Sequence, residues 1–278
     1  MKKVGIVACS NGQKREYSSQ NDELVSFLAS AGLEARLSSC LYEVNNVFSG
    51  STEERAKQLM ELFRDPETEE IYDISGGDVA NQILDYLDFG AIAESKATFW
   101  GYSDLTTVIN AIYAMTGRES VLWNIKNMSY GDHVELQKHR FLYREELFDS
   151  EFRFIQGSSM SGIVVGGNIR CFLKLAGTRY FPELTDKLLL LEALGGDVPQ
   201  MATYLAQLQQ LGAFRKVRGI LLGSFTTMEK NQSKPDMVTL VKEYAGPDMP
   251  IAKTREIGHG SDAKAIVIGR ELTLQQNC

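Results

Sequence analysis

Ser103 stands in the stretch ATFWGYSDLTTVINAIYAM, two residues after the glycine that ends an apolar, aromatic run and at the head of a helix-period segment. A serine at such a strand-to-helix turn can act as a nucleophile. Its Oγ is held exposed while the next backbone N–H, that of Asp104, points at a developing oxyanion. The same Ser-Asp pair is also what a helix N-terminus selects with no chemistry at all, because both side chains cap free N–H groups. Two further groups would have to exist for the nucleophile reading: a base, usually histidine, and a carboxylate to orient it.

The chain has three histidines. His133 and His139 lie among Glu135, Lys138 and Arg140 and read as solvated surface residues. His259 differs, because REIGHGSDAKAIVIG sets it between two glycines in a turn joining two apparent strands. Glycine on both sides allows an unusual backbone path that can present an imidazole to a cleft, although a plain loop histidine beside a hairpin-type turn fits the same residues. For the carboxylate, Glu192 stands out at the end of four leucines in KLLLLEALGGD. A carboxylate ending a buried strand is costly unless paired, so it calls for a partner, whether histidine or a structural Arg or Lys. Two glycine pairs follow apparent strands, Gly76-Gly77 in DISGGDVANQIL and Gly166-Gly167 in VVGGNIRCFLKLAG. Each can offer backbone N–H groups to an anion, and neither has the spacing of a dinucleotide fingerprint or a P-loop. Cys9 and Cys171 each sit in an apolar run that reads as core, which argues against a cysteine nucleophile.

The elements that must position these residues read as alternating strands and helices. KVGIVACS, EARLSSC, EIYDISGG and ATFWGYS have strand length and composition, and helix-period segments separate them. One of these, STEERAKQLMELFRD, opens with a capping box, since Ser51 precedes Glu54 by three. DVANQILDYLD is expected to be a helix, and the helix after Ser103 to keep Leu105, Val108, Ile109, Ile112 and Met115 near one face. The alternation predicts a doubly wound α/β domain over residues 1–120, with Ser103 at the C-terminal end of a parallel strand, where such sheets bind ligands. Residues 121–155 are charged, aromatic and short of periodicity, and read as a crossover or linker with partial structure. A second mixed domain is expected over 156–278, with strands in SGIVVGGN, KLLLLEAL, VRGILLGSF, MPIAKTREIG and KAIVIGREL and helices near 168–176, 199–212 and 236–245.

Composition narrows the class of function. Of 278 residues, 44% are hydrophobic and 23% charged, values of a folded globular protein, with enough chain to bury a sizeable core. A formal net charge of −7 without any basic run argues against nucleic acid as a partner. MKKVGIVACSNG is too short in apolar residues for a signal peptide and reads as a first strand. No run of about 18 apolar residues is present, so no spanning helix is expected and the protein reads as cytoplasmic. The four cysteines, Cys9, Cys40, Cys171 and Cys278, lie far apart, which favours reduced thiols over a disulfide frame or a zinc site.

Taken together, these residues resemble the LD-carboxypeptidase family of serine peptidases, the S66 group, which includes murein tetrapeptide carboxypeptidases and microcin C self-immunity peptidases. The resemblance covers nearly the whole chain. It is carried in order by STEERAKQLMELFRDPETEEIYDISGGD, WGYSDLTTVINAIYAMTG, GIVVGGNIRCFLKLAGT with KLLLLEAL, YLAQLQQLGAFRKVRGILLGSF and IGHGSDAKAIVIGRELTL. It implies an N-terminal flavodoxin-like parallel-sheet domain and a smaller C-terminal swivelling β/α domain, with the site between them. By the same resemblance Ser103 is the nucleophile, Glu192 the acid and His259 the base, with oxyanion donors at Asp104 and at Gly77 or Asp78. Leu105 occupies the place where the G-x-S-x-G elbow of α/β-hydrolases has its second glycine, which argues against that fold. The implied reaction releases a terminal D-alanine from a murein tetrapeptide, needs no metal or other cofactor, and fits a homodimer. The related alternative is cleavage of an acyl-aspartyl or acyl-glutamyl nucleotide conjugate, and the alternative of another class is a small-molecule binding module without chemistry. Two features depart from the family's pattern. Asp78 follows the first glycine pair, and residues 118–160 do not align with its motifs and are expected to line the pocket.

Overall fold

In the computed structural model, which describes residues 1–276, twelve strands form two six-stranded sheets. Cys278 lies outside the described residues. The strands are β1 (Lys2–Val7), β2 (Leu33–Leu37), β3 (Thr68–Asp73), β4 (Thr98–Gly101), β5 (Ser120–Leu122), β6 (Arg153–Gln156), β7 (Ser159–Asn168), β8 (Lys187–Ala193), β9 (Gly219–Phe225), β10 (Ile251–Lys253), β11 (Ile266–Ile268) and β12 (Glu271–Gln275). The α-helices are α1 (Ser18–Ser30), α2 (Thr52–Arg64), α3 (Phe89–Glu94), α4 (Thr106–Thr116), α5 (Val134–Leu142), α6 (Arg144–Phe148), α7 (Ile169–Leu173), α8 (Val198–Gln210), α9 (Ala213–Lys216), α10 (Thr226–Asn231) and α11 (Met237–Ala245).

The first sheet runs β2-β1-β3-β4-β5 with every pair parallel, the strand order of flavodoxin-like folds, and β11 adds antiparallel to β5. In the second, β7, β8, β9 and β10 are parallel neighbours, flanked by antiparallel β12 and β6. Both domains are therefore α/β. KAIVIGREL, read as one strand, is two: β11 belongs to the first sheet and β12 to the second, joined across Gly269 and Arg270. A strand from the C-terminal segment thus completes the N-terminal sheet and ties the domains together.

The leucine run of β8 shows how the core is layered. Leu188 and Leu190 pack in the layer shared by both domains, with Leu105 and Ile109 of the first. Leu189 and Leu191 face the outer layer, against Met201 and Leu205 of α8 and Leu240 of α11. A strand covered on both faces has no polar alternation, hence four consecutive leucines. Helix α4 departs from the one-faced expectation. Every residue from Thr106 to Ile112 is buried, whereas Met115 is 37% exposed. The cause is its position between the domains. The Asn110 amide takes the Gly166 N–H at 2.9 Å and donates to the Gly166 carbonyl at 2.8 Å, and Thr106 Oγ1 accepts the Asn168 N–H at 3.1 Å.

The segment Ala80–Tyr86 is 3₁₀, not an α-helix. It is tethered at its start, where the Ala80 N–H donates to Asp104 Oδ2, and again where Gln82 Oε1 accepts from Arg55. Residues 121–155, expected as a linker, hold part of β5 and all of α5 and α6, and pack Trp123, Phe141 and Leu147 into the core behind the first sheet.

Candidate active site

Ser103 follows β4 and has φ +52°, a left-handed conformation that costs an L-residue about 1–2 kcal/mol. Neither the 3₁₀ turn at Ser103–Leu105 nor α4 has a side-chain cap, so the serine is not spent on capping. Its Oγ instead lies 3.2 Å from His259 Nε2. The strained turn is what aims the hydroxyl away from the helix and toward the second domain.

Glu192 and His259 come from that domain. On the β9 side of β8 the register slips, pairing Leu191 with Leu222 but Ala193 with Phe225. Such an irregularity re-aims the side chain between the paired residues, here Glu192. The Glu192 side chain is fully buried, and its Oε2 lies 2.7 Å from His259 Nδ1. The His259 side chain is 8% exposed, its ring packed on Tyr102 with centroids 4.4 Å apart. Gly258 precedes it with φ +147°, and a Cβ there would fall 1.8 Å from Ser224 Oγ, so only glycine fits the approach to β9.

Residues 118–160 do not line the cavity beside Ser103, contrary to expectation; they hold the histidine loop. Buried Gln137 donates from Nε2 to the carbonyls of Ser261 (2.8 Å) and Ala263 (2.9 Å). Trp123 Nε1 donates to the Ala263 carbonyl at 3.2 Å, and Asn127 to that of Gly260 at 3.4 Å. Replacing Gln137 with leucine leaves the Ser261 carbonyl without its donor and the Ala263 carbonyl with Trp123 alone, at a cost of about 1–3 kcal/mol. The expected result is a lower denaturation midpoint together with a lower kcat as His259 loses its fixed position, measured by urea titration and steady-state kinetics. His133 and His139 are both exposed, His133 against Ser261 Oγ at 2.8 Å and His139 near Glu146.

A cavity of about 400 Å3 opens beside Ser103, lined among others by Gly77, Asn168, Arg170, Leu194 and Tyr204. A larger depression of about 1090 Å3 along β6 and β10 contains none of the three residues. Gly77 has φ +126°, and a Cβ on it would overlap the Asn11 side chain at 2.2 Å. The Asp78 N–H is already given to Asn11 Oδ1 at 3.0 Å. Among the described residues the amides of Gly77 and Asp104 have no such acceptor. The Asp104 carboxylate anchors its turn from three directions: Ser10 Oγ (2.7 Å), the Ala80 N–H (2.8 Å) and Lys174 Nζ (2.5 Å). Asp78, exposed at the rim, pairs with Arg170, whose guanidinium holds its carboxyl below the usual carboxylate range.

Burial pushes the thiols of Cys9 and Cys171 upward, which disfavours their thiolates as nucleophiles. Among the described residues no group of three or more His, Cys, Asp and Glu is placed to hold a metal ion, and no helix is long and apolar enough to cross a membrane. The arrangement that remains can relay a proton from Ser103 through His259, with Glu192 behind it.

The LD-carboxypeptidase N-terminal domain matches residues 4–122 and the LD-carboxypeptidase C-terminal domain residues 161–274. The chain belongs to this family. It is accordingly a serine-type LD-carboxypeptidase by family. The probable murein peptide carboxypeptidase of Bacillus subtilis (strain 168) is 27% identical over 267 residues, covering 91% of this chain and 83% of the relative. Among solved structures, the microcin C7 self-immunity protein MccF in complex with glutamyl sulfamoyl guanosine superposes with TM-score 0.86 at 19% identity, over 99% of this chain and 96% of that one. The muramoyltetrapeptide carboxypeptidase from Oxalobacter formigenes gives 0.81 at 21%, over 99% and 95%. Both likenesses carry the two-domain fold.

Tyr102, Asn168, Arg170, Tyr204 and Gln137 were not singled out from the sequence. Asn168 and Arg170 follow the second glycine pair, so the end of β7 was the available signal; for Gln137 and Tyr204 the sequence offers none.

Proposed function

We propose that this protein hydrolyses an L,D-amide bond and releases the terminal D-alanine of a murein tetrapeptide, in recycling of cell-wall peptides in the cytoplasm. The observation that carries the reading is the chain Ser103 Oγ to His259 Nε2 at 3.2 Å and His259 Nδ1 to Glu192 Oε2 at 2.7 Å, beside a cavity of peptide size. His259 takes the Ser103 proton as Oγ attacks the carbonyl, and Glu192 holds the imidazole in the tautomer that leaves Nε2 free to accept it. The amides of Asp104 and Gly77 receive the oxyanion; Asp78 is left out because its amide is committed to Asn11. Losing one such donor typically costs about 3 kcal/mol of barrier. The imidazolium then protonates the leaving amine, and water releases the acyl group from Ser103.

A second reading, cleavage of an aminoacyl nucleotide conjugate, draws support from Tyr204 in the cavity wall, an aromatic face on which a base can stack. The purified protein is to be incubated with L-Ala-γ-D-Glu-L-Lys-D-Ala, with its diaminopimelate counterpart and with aspartyl and glutamyl sulfamoyl adenosine. Loss of one alanine from a tetrapeptide, read by mass spectrometry, is the expected result. Cleavage of the adenosine conjugates alone would establish the second reading instead.

A further inference from the structure

An enzyme that cuts only the last residue from a peptide must recognise the chain end, and the chemical mark of that end is a carboxylate. Among the residues lining the cavity beside Ser103, Arg170 supplies the one positive charge. Its guanidinium reaches across from α7 to the loop after β3, where Nη1 donates to Asp78 Oδ1 and Nη2 to the Gly77 carbonyl at 3.0 Å. A guanidinium has five donors in a planar fork, so these two bonds leave donors for a second acceptor.

Gly77 joins the two parts of the cavity: its amide is free for an oxyanion, while its carbonyl accepts from Arg170. In a substrate, one leaving residue likewise joins the scissile carbonyl to the α-carboxylate.

We propose that the Arg170 guanidinium receives the free α-carboxylate of the leaving residue and so confines the site to chain ends. Asp78 holds the fork in place when no substrate is bound. Lys174 is a poorer candidate, because its Nζ is engaged by Asp104 Oδ1 at 2.5 Å and by the Asp78 carbonyl at 2.8 Å. The assignment deepens the proposed peptidase reading and rests on it for the identity of the leaving group.

The test compares L-Ala-γ-D-Glu-L-Lys-D-Ala with the same peptide ending in a carboxamide. The wild-type enzyme is expected to favour the acid by about 10- to 100-fold in kcat/KM, mostly through KM, the range for a lost hydrogen bond to a charged group. Arg170→Gln should bring that ratio close to one by weakening the acid alone, and Arg170→Lys should restore part of it, with unchanged circular dichroism in both. A ratio that survives Arg170→Gln overturns the assignment. Calorimetric binding of both peptides to Ser103→Ala, with and without Arg170→Gln, separates this from the hydrolysis reading. If the wild type cleaves neither peptide but Ser103→Ala binds the acid in an Arg170-dependent way, the hydrolysis reading fails and the carboxylate receptor stands; equal binding of acid and amide overturns the receptor.

Discussion

Ser103→Ala is expected to lower kcat by about 10⁶-fold, the loss seen when the nucleophile of a serine triad is removed, while peptide binding persists. Ser103→Gly should be equally inactive but more stable than Ser103→Ala. The backbone at this position is left-handed, φ +52°, which costs alanine about 1–2 kcal/mol and glycine almost nothing. Against that gain stands about 0.5–1 kcal/mol for the greater freedom glycine loses on folding, so Ser103→Gly should exceed Ser103→Ala by up to about 1.5 kcal/mol. Urea denaturation of the two variants reads this difference directly. Equal midpoints would mean that the turn relaxes when Oγ is removed, and the account of the strain as what aims the hydroxyl would be wrong. Retained turnover in both would remove Ser103 from the chemistry.

The residues brought together around that turn were legible because each breaks a local rule. Ser103 interrupts an aromatic strand at a helix start, Glu192 ends a run of apolar residues with a charge, and His259 sits between glycines. Parallel strands alternating with helices also identified the fold, since the period changes from two to 3.6 are local signals. What stayed hidden depends on how distant segments pack. Gln137 clamps the histidine loop through two backbone carbonyls, and nothing in VELQKHR records acceptors that lie 124 and 126 residues away. The same holds for β11, whose three residues read as one strand with β12 until the second sheet claims the latter. It holds for the Asp78–Arg170 pair too, which exists only once the domains meet.

Glu192→Gln is the sharper test of the site, because activity and stability should move in opposite directions. The side chain is fully buried, His259 Nδ1 is its hydrogen-bond partner, and among the described residues Oε1 has no hydrogen-bond partner. Nearby Tyr102 shows the same dry surroundings, its phenol pushed up by burial and then by the Glu192 charge. A carboxylate so placed is expensive to bury, and a neutral amide of the same shape removes most of that penalty. Glu192→Gln should therefore melt at the same temperature as the wild type or higher. Its kcat/KM should nevertheless fall by about 10⁴-fold. An amide NH2 turned toward Nδ1 makes that nitrogen the acceptor and puts the ring proton on Nε2, where it meets Ser103 Oγ and cannot receive a second one. Glu192→Leu should be as inactive but less stable than Glu192→Gln, because it leaves His259 Nδ1 without a partner, at about 1–3 kcal/mol. If Glu192→Gln instead lost stability and activity together, the carboxylate would be part of what holds β8 to the histidine loop. The opposite pattern, a more stable protein that no longer turns over, would mean that the charge is retained at the end of an otherwise apolar strand for what it does to His259.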